Sequence, residues 1–238
     1  MRCGYVVIIF SLIFFLLCVI KTLSEEAVTE FIPLTKGNFW IYSGTIKWQN
    51  DDGDVSEEEL TWKMEITETV EKEGITGAVL KGHPSDLEWY YDGKERGNYL
   101  IVKTEDGKYY SLENNIAETF EKIEEGRDIS DLLDVYNLFL DLPLTGGKTF
   151  GDPAGIKRED NWYCWYVEVI EEVELNIKAC PSSEKEKKYR LAFRSCPAHI
   201  IIEYVPGVGI IYYEYVHHGT VSEVRLNLIE YGRENNND

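Results

Sequence analysis

Ile200-Ile201-Ile202-Glu203-Tyr204-Val205, then Pro206-Gly207-Val208-Gly209, then Ile210-Ile211-Tyr212-Tyr213-Glu214-Tyr215-Val216, His217-His218-Gly219 and a return from Thr220 to Tyr231: this stretch decides the fold. β-Branched and aromatic residues fill it, and glycine-bearing breaks divide it, as in consecutive antiparallel strands. In the return strand Val224, Leu226 and Leu228 share one face while Glu223, Arg225 and Asn227 share the other, a period of two. The middle strand is apolar on both faces, which predicts a central place in a sheet covered on both sides.

Working outward, the same period returns upstream. Leu60, Trp62, Met64 and Ile66 alternate with Glu59, Thr61, Lys63, Glu65 and Thr67, one face for core and one for water. A first strand spans Phe39 to Trp48, where Trp40, Tyr42, Ile46 and Trp48 share a parity interrupted by Gly44. Short strands are predicted at Ile75–Lys81, Leu87–Tyr91, Tyr99–Thr104 and Lys108–Leu112. Glu73-Gly74, Gly82-His83-Pro84, Asp92-Gly93 and Asp106-Gly107 supply the turn chemistry between them.

Residues 113–140 break the alternation. Ile116, Phe120 and Ile123 fall at helical spacing, as do Leu132, Leu133, Tyr136 and Leu140, predicting one or two short helices with Ser130 or Asp131 as a cap. An opening motif then returns: Leu142-Pro143-Leu144-Thr145-Gly146-Gly147-Lys148-Thr149-Phe150 matches Ile32-Pro33-Leu34-Thr35-Lys36-Gly37-Asn38-Phe39-Trp40 with a one-residue shift. Strands over Trp162 to Leu175 and Lys187 to Arg194 follow it. Such a repeat predicts two related halves, 31–112 and 141–231, of one sheet system. The fold class is therefore mainly β: a curved antiparallel sheet or half-barrel with a short helical insert at 113–140. Residues 25–231 form a single domain, and 232–238 a frayed polar tail.

These Pro-Leu-Thr marks, with Pro206-Gly207-Val208-Gly209 and its following aromatic strand, resemble a diffuse group of uncharacterised prokaryotic secreted proteins and lipoproteins. The resemblance covers most of the chain after residue 24 through short motifs. It implies an extracytoplasmic β-rich fold with no settled activity and no catalytic residue to transfer. The chain departs from the lipoprotein members in lacking a lipidation cysteine, since Leu17 precedes Cys18 where a small residue is needed.

The front end carries Met1-Arg2, an apolar run from Tyr5 to Ile20, and small residues at Thr22 and Ser24, the pattern of a secretory signal (residues 1–24) cleaved after Ser24. The alternative is an uncleaved N-terminal anchor, the run being near the lower limit of a spanning helix. Either route places the remainder outside the cytoplasm, secreted or on the outer face of the envelope. The formal charge is −19, and cleavage removes two cations and no acid. Nucleic acid and anionic membrane surfaces demand basic patches, so such a chain repels both. Membrane contact is left to the N-terminal segment alone.

Three cysteines follow the signal. Cys180 and Cys196 each precede proline, and a Cys180–Cys196 disulfide is predicted with Cys164 buried in an aromatic strand. No catalytic, metal or cofactor set is predicted. His217 and His218 precede Gly219 in a predicted hairpin tip and read as exposed turn histidines, since strand neighbours point to opposite faces and do not converge on one ion. Asn50-Asp51-Asp52-Gly53-Asp54 has calcium-ligand chemistry without EF-hand spacing. Gly82-His83-Pro84-Ser85-Asp86 holds the residue types of a hydrolase without its nucleophile elbow.

What remains is aromatic content. Trp40, Trp48, Trp62, Trp89, Trp162, Trp165 and the tyrosines 204, 212, 213 and 215 suit either a core or a recognition surface. The reading that follows is a non-enzymatic binding or interaction module for an unidentified extracytoplasmic protein or an apolar small molecule. A second reading is a carrier of lipid or another apolar ligand, in a cavity walled by Leu60, Trp62, Met64 and Ile66 facing Val224, Leu226 and Leu228. A secreted hydrolase is the third.

Overall fold

The computed structural model describes residues 30–50, 52–91, 93–178 and 180–234, with backbone only at 176 and 180–184. The predicted signal at 1–24 lies outside the described residues. Among those described, no helix is long and apolar enough to cross a membrane.

Twelve antiparallel strands form one sheet, nearly closed into a barrel. In chain order they are β1 (Asn38–Gln49), β2 (Val55–Lys72), β3 (Ile75–Lys81), β4 (Asn98–Lys103), β5 (Lys108–Leu112), β6 (Leu138–Asp141), β7 (Thr149–Phe150), β8 (Trp165–Ile177), β9 (Cys180–Arg194), β10 (Ala198–Val205), β11 (Gly209–His217) and β12 (Ser222–Arg233). Across the sheet the order is β6-β5-β4-β3-β2-β1-β12-β11-β10-β9-β8-β7. Each run of six is a meander, and the two runs join where β1 pairs with β12, Trp40 opposite Tyr231. The Pro-Leu-Thr repeats each lie just ahead of the first strand of a run, β1 and β7. Lys148, at the start of the second run, donates to the carbonyls of Asp141 and Pro143, tying the two edges of the sheet together.

The alternation read from the sequence holds at its two clearest strands. Trp62, Met64 and Ile66 of β2 are buried, as are Val224, Leu226 and Leu228 of β12. They join Trp40, Tyr42, Ile46, Tyr204, Tyr213 and Tyr215 in one interior cluster. Main chain satisfies the polar atoms of two of its largest rings: Trp40 Nε1 donates to the Val208 carbonyl at 2.6 Å and Tyr42 Oη to that of Ile210 at 3.0 Å. The turn at Pro206–Gly209 thus doubles as an acceptor for the barrel interior.

Several expectations are corrected. β11 is not the strand buried on both faces; its outer residues Tyr212, Glu214 and Val216 are half-buried, and Tyr212 and Glu214 carry polar contacts. That place belongs to β4, where Tyr99 and Ile101 face the interior and Leu100 and Val102 face a second small core beneath a helix. This helix, α1 (Ile116–Glu124), lays Ile116, Phe120 and Ile123 over β2, β3 and β4. The second predicted helix is instead two 3-10 turns, Ser130–Leu132 and Val135–Asn137, and the predicted cap is inverted, Asp128 accepting from the Ser130 backbone. Leu138–Asp141 is a strand, so the insert ends at 137 rather than 140. A four-residue helix, α2 (Pro153–Ile156), precedes β8.

Two strand expectations also change. Leu87–Tyr91 is not a strand; among the described residues the connection from β3 to β4 is a loop containing a 3-10 turn at Pro84–Leu87. β12 runs to Arg233, so Gly232 and Arg233, expected in a frayed tail, belong to a strand. The charged stretch Pro181 to Lys188 belongs to β9, which separates Cys180 from Cys196 by the length of a fifteen-residue strand. Cys196 is a free, exposed thiol and Cys164 a free, buried one; the side chain of Cys180 lies outside the described residues.

Candidate functional site

The described residues between 82 and 97 bring together several buried and half-buried polar groups, His83, Asp86 and Glu88 among them. Pro84 sits at the start of its 3-10 turn, where a missing N–H costs nothing, and His83 caps it. The His83 Nδ1 accepts from the Ser85 backbone at 3.2 Å and lies 2.7 Å from the Ser85 hydroxyl. An atom that accepts from a backbone N–H carries no proton, so the ring is neutral with its proton on Nε2. Burial against the rings of Tyr99 and Tyr213 pushes the imidazole down to about 4.

Asp86 closes the loop. Its Oδ2 accepts from the Gly97 backbone at 2.9 Å and its Oδ1 from the Tyr99 hydroxyl at 2.6 Å. Burial raises its pKa against the lowering effect of both hydrogen bonds. Glu88 is the third anchor. It accepts a hydrogen bond from the buried Tyr213 hydroxyl, while its own carbonyl accepts from Lys94 Nζ at 2.8 Å. Burial pushes the Glu88 carboxyl up to about 7, opposed by the Tyr213 donation and by Lys94.

This underside fixes what the loop shows to solvent. Trp89 has a positive φ of 55°, uncommon for a bulky residue, and its N–H donates to the buried Ser222 hydroxyl at 3.1 Å. The indole is 53 % exposed and its ring centre lies 4.5 Å from that of His217. Tyr90 turns inward with its ring edge-on to Trp48 at 4.9 Å. Tyr91 turns outward, 60 % exposed, with Lys94 Nζ 5.7 Å from its ring centre. Two large aromatics therefore stand in water on a loop whose backbone is held from below.

As chemistry, the His83–Ser85 pair is a weak base beside a hydroxyl. Asp86 is engaged by Tyr99 and Gly97 and does not orient the imidazole, as an acid–base triad would require. A base titrating near 4 is a poor proton acceptor at neutral pH, and capping accounts for the polar contacts of the imidazole.

The other predicted positions fall as follows. The seven wall residues Leu60, Trp62, Met64, Ile66, Val224, Leu226 and Leu228 lie in or against the one interior cluster, packed with the aromatics named above. The Trp62 indole donates to the Gly82 carbonyl at 2.9 Å, so this wall also supports the 82–97 loop. His217 and His218 diverge; His217 turns to Trp89, and its Nδ1 accepts from the Thr220 backbone at 2.9 Å. Among the described residues, no group of three or more His, Cys, Asp or Glu side chains is arranged to hold a metal. Sequence reading missed Glu88, Tyr99 and Tyr213 as a unit. Their union depends on β11 facing the β3–β4 loop across the barrel mouth, which no local spacing encodes.

These features define a barrel-like antiparallel β protein with a braced aromatic loop at one end. No protein-family model matches the chain, and no curated protein matches it. Two crystal structures are similar: a Bacteroides fragilis protein inferred to be exported, with a YmcC-like fold, and an inferred lipoprotein from Parabacteroides distasonis. The first is 12 % identical over 86 % of this chain and 100 % of its own, at a TM-score of 0.42. The second is 12 % identical over 87 % of this chain and 100 % of its own, at a TM-score of 0.40. Likenesses this distant have no bearing on function.

Proposed function

We propose that the chain is an extracytoplasmic, non-enzymatic binding module whose contact surface is the Trp89–Tyr91 loop together with the neighbouring β11–β12 turn. The observation that supports this most is the contrast between a braced underside and a bare aromatic top. A solvent-exposed Trp and Tyr on a preorganised backbone lose little freedom on binding, and such residues dominate contact energy in interfaces. Export rests on the apolar run from Tyr5 to Ile20 and the small residues Thr22 and Ser24. The carrier reading stands second: its seven wall residues lie in or against the interior cluster, and close packing is the default for protein interiors.

The test is site-specific photo-crosslinking on intact cells producing the full chain. A photoreactive residue at position 89 or 91 is expected to give a discrete adduct, and one at Tyr136, itself 77 % exposed, to give none. Equal labelling at 89, 91 and 136 would remove the reading. A lipid co-purifying in native mass spectrometry, with no adduct at 89 or 91, would favour the carrier.

A further inference from the structure

The second histidine of the His217-His218 pair meets a partner that the sequence does not place beside it. His199, on β10, is opposite Val216 of β11, and His218 is the first residue of the turn that follows β11. That brings it near the diagonal position from His199, close enough for long side chains to meet. The backbone N–H of His218 donates to the Pro197 carbonyl at 2.6 Å, which holds the end of β11 against the start of β10. The two imidazoles then converge, His199 Nδ1 lying 3.2 Å from His218 Nε2.

The far side of His199 is also determined. Its Nε2 lies 3.3 Å from Glu214 Oε1, and Glu214 accepts from the Tyr212 hydroxyl at 2.6 Å and pairs with Arg225 at 3.4 Å. A carboxylate acceptor places the His199 proton on Nε2 and leaves Nδ1 with a bare lone pair aimed at His218. A carboxylate behind an imidazole is the usual support of a metal-ligating histidine, fixing its tautomer and raising its basicity. His218 presents its own lone pair toward the same point once its proton moves to Nδ1.

We propose that His199 and His218 form a two-imidazole site for a late first-row divalent cation, copper(II) or zinc(II), with Glu214 as the supporting carboxylate and water completing the coordination. With metal–nitrogen distances of about 2.0–2.1 Å, nitrogens 3.2 Å apart subtend roughly 100° at the ion, between the square and tetrahedral angles. Imidazole nitrogen selects these ions over calcium and magnesium, which take oxygen. His217 takes no part: it points to the other face and its Nδ1 already accepts from the Gly219 and Thr220 backbones.

Copper(II) titrated into the purified exported chain, followed by calorimetry and electron paramagnetic resonance, tests the site. One equivalent is expected to bind with a two-nitrogen spectrum that excess calcium does not displace. His199→Ala and His218→Ala should each abolish that equivalent, His217→Ala should leave it intact, and Glu214→Gln should weaken it by about tenfold or more. Circular dichroism on each variant establishes that the fold is kept. A two-nitrogen equivalent that survives in the His199→Ala/His218→Ala double variant would overturn the proposal, as would a wild-type chain binding no more copper than that double variant.

Discussion

Gly44 sits midway along β1 opposite Leu226 of β12, and a Cβ built there would lie 1.8 Å from the Arg225 carbonyl oxygen and 2.9 Å from the Leu226 Cα. These are backbone atoms in the seam that joins the two meanders, so nothing flexible can yield. The break in aromatic parity between Tyr42 and Ile46 is therefore a requirement of close approach. Gly44→Ala should destabilise the protein by at least about 3 kcal/mol, at the upper end of overpacking costs. Denaturant unfolding measures it, and a loss under about 1 kcal/mol would mean that the seam opens readily to admit a methyl group. By comparison Gly146, in the loop between β6 and β7, has no atom within 4 Å of a Cβ placed in the same way and should accept Ala without loss.

At the scale of elements, the 82–97 loop is held by two groups whose proton affinities move in opposite senses. His83 titrates near 4 in the fold, below its ordinary value of 6.5, so its contribution is present above 6.5 and is lost as pH falls through 4. Glu88 titrates near 7, above its ordinary 4.5, so its contribution is present below 4.5 and is lost as pH rises through 7. Between about 4.5 and 6.5 the two slopes oppose each other. Glu88→Gln keeps an acceptor for Tyr213 and removes the ionisation. Its melting temperature should match the wild type near pH 4.5 and exceed it progressively toward pH 8, by roughly 2–4 °C per kcal/mol regained. A constant offset across that range would show that Glu88 titrates normally.

The same loop shows where sequence reading stops. Alternation in β2 and β12 is legible because each strand has one wet and one buried face, and burial writes that difference directly into residue type. The run from Leu87 to Tyr91 is apolar and aromatic too, yet Trp89 and Tyr91 face solvent, and Pro84 with the His83 cap starts a 3-10 turn instead of a strand. β4 departs from expectation in the other direction. Leu100 and Val102 are buried by α1, an element that begins after β5, and an apolar run does not say what covers it. Leu138 to Leu140 fit a helix only through the spacing of Leu132, Leu133, Tyr136 and Leu140. Tyr136 is exposed, so that stripe has no buried face to complete, and edge pairing with β5 makes the segment a strand.

For the whole molecule, the repeated Pro-Leu-Thr segment is the informative signal, since each copy introduces a six-strand run. The seam between the runs marks the sequence only at Gly44, which does not name its partner strand, because β1 and β12 are far apart in the chain. Its position does have a kinetic consequence. Taken from the other edge, the sheet order is β7 to β12 followed by β1 to β6, so ten of the eleven ladders join consecutive strands and only β12–β1 must find its partner across the chain. The chain ends of the barrel are already adjacent, the Glu234 N–H donating to the Gly37 carbonyl at 2.9 Å. A circular permutant that begins at Gly147, ends at Gly146 and joins Glu234 to Phe31 through a flexible linker would turn that last ladder into a local one and make no other ladder distant. Folding rates rise as contacts become local. Stopped-flow refolding of the permutant should therefore be faster than that of the natural order, by roughly tenfold; an equal or slower rate would place the barrier in the meanders or in the β6–β7 edge contact rather than in the β12–β1 ladder.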